Sequence, residues 1–353
     1  MSKNQYYTLD KILTKKDING NDPNVFFITN TRSSGKTTAI LQHMLDDFRE
    51  NKHMFVLLYR TQGELDSATE VFGELNNRLS YGTFTKKIAV KGYINEILLN
   101  DEKIGFAVSM KNPDKIKKFS PIFSCVENIF LDEYQLETKQ YLKDEMRNFR
   151  IIVTSIARGK GERIRNSVKI FLAGNPVDLF NPYYIAYGIY NRILPNTKYL
   201  RGRGFVGDFR LDECASKDYL DSPLINALGM NESDPYYKYL TQVYYLNGST
   251  KMISKPACNT RYLFTISAET QRYGIRYAKD SGDIYCTKTY DPSCPYVFVL
   301  RTDDVDTNTF MLRTNAIEMH YLRTAFTTGK LFFENGEIKT IILDLLALDR
   351  SLR

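Results

Sequence analysis

Gly35-Lys36-Thr37 is the first stretch of this chain whose residue types could do chemistry together. An ammonium neutralises phosphate oxygens, a hydroxyl one residue later ligates Mg²⁺, and a glycine lets the backbone turn its N–H groups inward. Asn30, Thr31, Arg32, Ser33 and Ser34 lead into the triplet and Thr38 follows it, so residues 30–38 have the make-up of a phosphate-binding loop. The usual pattern G-x-x-x-x-G-K-[ST] has glycine where this chain has Asn30. Asparagine tolerates left-handed φ better than most residues, so the turn is expected to survive. The alternative is an ordinary Ser/Gly-rich loop capping a buried helix.

A second chemical feature is Asp132-Glu133, which ends the apolar run Ile129, Phe130, Leu131. Asp132 is placed to hold a Mg²⁺ shell and Glu133 to polarise an attacking water, a division of labour that phosphoryl transfer requires. Alone the pair is weak, because surface turns often contain it; together with the loop it points to ATP hydrolysis. GTP is disfavoured, since no Asn/Thr-Lys-x-Asp base-reading segment follows. Asn175, just before Pro176, is positioned either to sense the γ-phosphate or lytic water or merely to end a strand. Arg60 could stack on the base, touch phosphate, or be a solvated strand end. The densest positive run, residues 147–169, has seven Lys/Arg against one acid. Arg158, Lys160, Arg163 and Arg165 lie there in a Gly-containing loop. They are candidates for the arginine that offsets charge on the transferred phosphoryl group, for a nucleic-acid contact, or for a solvated loop.

These residues need strands to carry them. Residues 26–28, 54–60, 127–135 and 168–176 are apolar runs whose polar ends hold the loop, Arg60, the acidic pair and Asn175 respectively. Ala39, Ile40, Met44, Leu45 and Phe48 follow the loop at helical spacing. Apolar strands alternating with helical stretches predict a parallel α/β sheet with its ligand at the C-terminal strand ends. Residues 84–109 hold shorter strand-like pieces with room for an antiparallel excursion. Beyond Pro176 the texture changes: tyrosines crowd residues 183–190, and residues 198–205 (KYLRGRGF) alternate cations with aromatics. Residues 211–250 are polar and turn-rich. From residue 261 short alternating segments suggest an antiparallel sheet, followed by two helices around LFFENG. The predicted organisation is 1–195 for the nucleotide-binding domain, 196–250 for a linker subdomain and 251–353 for a second α+β domain.

Composition narrows the classes further. The chain has 353 residues and a formal charge of +7, which suits a polyanionic partner. Five scattered cysteines and three histidines give neither zinc-ligand spacing nor a disulfide framework. Neither a signal stretch nor an eighteen-residue apolar run is present, so an intracellular protein without a membrane partner is expected. Asp303, Asp304 and Asp306 follow a strand-like segment; clustered acids can bind metals for phosphodiester cleavage, but a nuclease needs further carboxylates from other elements.

The TRSSGKTT loop, VLLYRTQGEL, IFLDEY, LAGNPVDLFNPYY and above all the long segment from YVFVLRTDD to IILDLL resemble the encapsidation ATPases of small tailed phages, the phi29-like DNA-packaging motors. The likeness runs over most of the chain. It implies a P-loop ATPase domain of the additional-strand, catalytic-glutamate class with a mostly parallel sheet, a small linker, and a C-terminal RNase H-like domain without its nuclease site. It also implies ATP and Mg²⁺ as ligands and a homo-oligomeric ring, usually of five. Such a ring stands on the portal vertex of a prohead through a structural RNA and moves double-stranded DNA, in the host cytoplasm. By this resemblance Lys36 and Thr37 match the Walker A pair, and Asp132 and Glu133 the Walker B pair. Arg60 matches the arginine after the second strand, and Asn175 the polar coupling residue after the strand that follows the acidic pair. Arg158 stands nearest the trans-acting finger, and an insertion at residues 159–162 keeps Lys160 and Arg163 as candidates beside it. The three acids Asp303, Asp304 and Asp306 match retired nuclease machinery. Rival readings are a helicase-type ATPase, a non-catalytic nucleic-acid scaffold and an active terminase-like nuclease.

Overall fold

The computed structural model describes residues 6–138, 140–158, 163–190, 192–193, 197–210, 221–231, 233–241, 245, 252–256, 259–268, 271–299, 305–312 and 316–347. Two compact units divide the chain, Met1–Gly248 and Ser249–Arg353.

The first unit is built on nine strands. These are β1 (Val25–Thr29), β2 (Met54–Tyr59), β3 (Phe84–Val90), β4 (Ile94–Leu99), β5 (Glu102–Ser109), β6 (Val126–Leu131), β7 (Lys169–Gly174), β8 (Tyr199–Gly202) and β9 (Phe205–Asp208). Their order across the sheet is β3-β4-β5-β2-β6-β7-β1-β9-β8. The six strands from β5 to β9 run parallel, while β4 pairs antiparallel with β5, β3 with β4, and β8 with β9. β1 and β6 are buried along their whole length, which is why both read as unbroken apolar runs rather than alternating ones. One core lies on each face of the sheet. One gathers Ile40, Met44, Leu45 and Phe48 of the helix Lys36–Asn51 against Phe26, Ile28 and Phe55. The other gathers Phe27, Ile129, Tyr134, Phe149 and Tyr184.

β7 lies between β1 and β6, so the two chemistry-bearing strand ends are separated by one inserted strand, the arrangement of the additional-strand class. Residues 84–99 form the expected antiparallel excursion, whereas β5 belongs to the parallel core. The sheet also extends past residue 195: KYLRGRGF, placed in a linker on composition, folds as the β8–β9 hairpin against β1. Beyond it come the short helices Pro223–Ala227 and Pro235–Thr241.

The second unit has β10 (Thr260–Ala268), β11 (Gln271–Ala278), β12 (Ile284–Thr287), β13 (Val297–Val299), β14 (Phe310–Met311) and β15 (Leu331–Phe333), ordered β14-β13-β10-β11-β12-β15. The sheet is mixed rather than antiparallel throughout. β10, β11 and β12 are antiparallel, but β13 runs parallel to β10, β14 to β13, and β15 to β12. Three antiparallel strands followed by two parallel ones beside the first is the RNase H-like order, here with β15 added at the far edge. Short alternating segments cannot announce strand direction, because the connection and not the strand sets it. The helices Ile317–Thr327 and Gly336–Ala347 supply Met319, Leu322, Ile338 and Ile342 to this unit's core. Among the described residues, no strand of the second sheet carries an acidic residue.

Candidate phosphate-binding site

β1 ends at Thr29, and the chain turns through residues 30–35 into the helix Lys36–Asn51. Two residues of this turn are left-handed, Ser33 at φ 58° and Gly35 at φ 87°. Asn30 is not among them, so the conformational argument for asparagine falls on Ser33 instead. Asn30 serves by hydrogen bonding: its Oδ1 accepts from the Thr31 backbone N–H at 2.6 Å and from the Thr31 hydroxyl at 3.2 Å. Gly35 is the N-cap, and no side chain caps the helix start. A helix start without a side-chain cap is the kind of end that receives an anion.

Lys36 curls back over the loop. Its Nζ donates to the Thr31 carbonyl at 2.7 Å, the Asn30 carbonyl at 3.2 Å, Ser34 Oγ at 3.2 Å and Asn175 Oδ1 at 3.1 Å. Asn175, which follows β7, therefore joins the loop from the end of the inserted strand. Thr38 is half-buried in the helix's first turn. Arg32 leaves the loop outward, donating to the Tyr236 hydroxyl at 3.2 Å and standing 3.8 Å from Glu137. The loop's outer side is covered by a segment that nothing in the sequence singles out. The Tyr7 N–H donates to the Ser34 carbonyl at 2.9 Å, and a Cβ placed on Gly35 would lie 3.1 Å from Tyr6 Cδ1.

Two strands away, the end of β6 faces the same loop. The Thr37 hydroxyl donates to Asp132 Oδ2 at 2.8 Å. Burial raises the Asp132 pKa above the ordinary carboxylate range, opposed by the Thr37 hydrogen bond. One hydroxyl and one carboxylate held together at the mouth of the loop are oxygen ligands of the kind Mg²⁺ takes. Glu133 is exposed and left-handed at φ 47°. Its N–H donates to Asp132 Oδ1 at 2.9 Å, and its carboxylate has no hydrogen-bond partner among the described residues.

Arg60 stands elsewhere than a base- or phosphate-contacting role requires. It is 5% exposed. Its guanidinium donates to Glu145 Oε1 at 2.8 Å, to the Glu133 carbonyl at 3.1 Å and to the Tyr134 carbonyl at 3.3 Å. Glu145 also accepts from the Tyr183 hydroxyl at 2.8 Å. Arg60 thus fixes the turn that presents Glu133 instead of reaching the ligand. Burial alone would have ejected so deep a cation; the carboxylate partner retains it. Glu145 sits among other acids in the sequence, so nothing there marks it as the partner. The tyrosine-rich stretch contributes in the same way: the Tyr134 and Tyr184 hydroxyls bond each other at 2.9 Å, and Thr29 Oγ1 lies 2.9 Å from the Tyr184 hydroxyl, directly behind the loop.

The basic run separates into unlike parts. Arg158 is exposed just past the helix Glu145–Ile156, and Arg163 is exposed; residues 159–162, with Lys160, lie outside the described residues. Arg165 is 5% exposed and pairs with Glu127 at 2.9 Å. It also donates to the carbonyls of Phe123 at 3.0 Å and Ile156 at 2.7 Å. It is a structural staple and no candidate for a mobile finger. Asp303 and Asp304 lie outside the described residues, and Asp306 is an exposed turn residue bonded to the Thr307 N–H.

Comparison with known proteins agrees with this geometry. The chain is 23% identical over 352 residues to a DNA packaging protein of Bacillus phage phi29, covering 98% of each. It is 22% identical over 321 residues to that of Bacillus phage B103, covering 89% of this chain and 94% of the relative. Among solved structures, a chain of the bacteriophage Phi-29 viral genome packaging motor assembly superposes with a TM-score of 0.64 at 20% identity, covering 98% of this chain and 99% of the other. The family described as Podovirus DNA encapsidation protein (Gp16) matches residues 1–350, and this chain belongs to it.

Proposed function

We propose that this chain hydrolyses ATP to drive double-stranded DNA into a viral prohead, as one subunit of a ring of five. The observation that carries the reading is the meeting of loop and acid: Thr37 on Asp132 at 2.8 Å across the inserted strand, with Asn175 at the end of that strand on Lys36 at 3.1 Å. In this reading the uncapped helix start and the loop N–H groups cradle the β-phosphate, and Lys36 exchanges its carbonyl partners for β/γ oxygens. Thr37 and Asp132 would hold Mg²⁺, which when bound neutralises charge on the phosphates. Glu133 takes the proton of the attacking water, and Asn175 orients that water or the γ-phosphate. Arg158 reaches the neighbouring subunit's pocket, with Arg163 in reserve.

The helices between residues 221 and 241 act as the linker subdomain, and Arg32–Tyr236 couples them to the loop. By family resemblance the ring stands on the portal vertex through a structural RNA, in the host cytoplasm. By family resemblance the second unit has no nuclease role.

The test is steady-state ATP turnover by the full chain with duplex DNA, single-stranded DNA or neither. Mg²⁺-dependent hydrolysis stimulated most by duplex is expected. Preference for single strands would favour a helicase-type enzyme, and absence of turnover a scaffold.

A further inference from the structure

The motif KYLRGRGF has no part in the phosphate site, yet it forms the outermost strand of the sheet that carries it. β8 and β9 pair from Tyr199↔Asp208 to Gly202↔Phe205, closed by Arg203 and Gly204, with Gly204 at φ 72°. Asp17 Oδ2 accepts from the Gly204 N–H at 2.9 Å and so pins the turn. A third segment reaches the same edge, where Arg192 donates to the Arg201 carbonyl at 2.6 Å. Five cations therefore line this edge: Lys15, Arg192, Lys198, Arg201 and Arg203.

None of the five forms an ion pair among the described residues. The nearby carboxylates are already engaged: Asp208 by Arg210 and Tyr7, Asp22 by Lys16, and Asp17 by backbone N–H groups. A lysine or two suffices to keep an edge strand from pairing with another chain. Five unneutralised cations delivered by three separate segments exceed that need.

Two clefts flank the hairpin. One of about 370 Å³ has Arg192 and Arg203 on its rim and Tyr187 in its wall. The other, about 340 Å³, has Lys15 and Arg201 beside Tyr199. Cationic rims with an aromatic wall suit a sugar–phosphate chain, whose anionic oxygens alternate with apolar deoxyribose faces. Arg201 lies on β8 and Arg203 in the two-residue turn that closes the hairpin. The edge is also tied to the nucleotide end of the sheet. Tyr7 bonds Asp208 through its hydroxyl at 3.0 Å and Ser34 of the phosphate loop through its N–H at 2.9 Å.

We propose that the β8–β9 edge is a duplex-DNA backbone grip, with Arg192, Arg201 and Arg203 on successive phosphates and Lys15 and Lys198 extending the track. The inference rests on the DNA-translocating reading above and adds the surface that holds the substrate. Such a contact is independent of base sequence, as a protein moving along any genome requires.

The test uses the full chain, a labelled random-sequence duplex, and binding followed by anisotropy from 50 to 200 mM salt. Each lost phosphate contact lowers the slope of log K against log salt by about 0.9. Replacing all three arginines (R192A/R201A/R203A) should lower it by about 2 to 3 while leaving DNA-free ATP turnover unchanged. Arg→Lys at the same three positions should restore most of the slope. Lys86→Ala with Lys87→Ala, exposed on the opposite edge of the same sheet, should leave it intact. An unchanged slope in the triple variant, an equal loss from the Lys86/Lys87 pair, or a loss confined to an RNA duplex would overturn the proposal. If the unaltered chain fails to bind duplex at all, it is the translocase reading that falls.

Discussion

Glu133 offers a test in which catalysis and stability move in opposite directions. Its φ of 47° places a long side chain in the left-handed region, which costs about 1–2 kcal/mol for a residue other than glycine. Three hydrogen bonds hold it there: Glu133 N–H to Asp132, Arg60 to the Glu133 carbonyl, and Tyr134 N–H to the Ala173 carbonyl. Glu133→Gln keeps backbone and shape, so stability should stay within about 0.5 kcal/mol. Glu133→Gly relieves the strain but gives the unfolded chain more freedom, worth about 0.5–1 kcal/mol. The net is a stabilisation of up to about 1.5 kcal/mol, and each kcal/mol raises Tm by roughly 2–4 °C in a domain of this size. Both variants lose the base, so turnover should fall by about 10²–10⁴, or roughly 3–5.5 kcal/mol in barrier. ATP binding should persist, because Glu133 touches neither Lys36 nor Thr37. Paired measurements of Tm, nucleotide binding and turnover decide the matter. A glycine variant melting below the glutamine variant would show that no strain is stored at this turn. Retained turnover in either would place the base elsewhere.

The two kinds of arginine should separate as cleanly. Arg165→Ala removes the cation that balances the buried Glu127 carboxylate and should cost about 3–5 kcal/mol in denaturant unfolding, whereas exposed Arg158→Ala should leave stability alone and reduce turnover of the assembled ring by about 10³ or more. Acid should loosen the helix behind the loop: burial of Asp47 would raise its pKa, but Asn51, Asn128 and His53 outweigh that and hold it below the ordinary 3.8. A depressed carboxylate stabilises the fold above its ordinary pKa and loses that contribution as pH falls from there through the lower folded value. The Tm advantage of the unaltered chain over Asp47→Asn should therefore shrink below about pH 4; an advantage that survives would assign these contacts no electrostatic role.

The sequence alone determined the central strands and the polar residues at their ends. Strands buried on both faces must be apolar throughout, and a phosphate loop or a metal-holding acid must be polar where such a run stops, so β1, β2, β6 and β7 and the residues after them were legible as text. The order of those strands was not, because pairing is a long-range choice that no local pattern encodes; only the fold inserts β7 between loop and acid and brings Asn175 to Lys36. Side-chain allegiance was likewise a tertiary decision. Arg60 and Arg165 look like any strand-end or loop arginine until Glu145 and Glu127 arrive from elsewhere to hold them inside, and Asn30 looked like a turn residue until the left-handed step fell on Ser33. KYLRGRGF had its charge written in the sequence, but its place did not follow from composition: a short glycine-bearing hairpin and a polar linker look alike until β1 offers an edge to pair with.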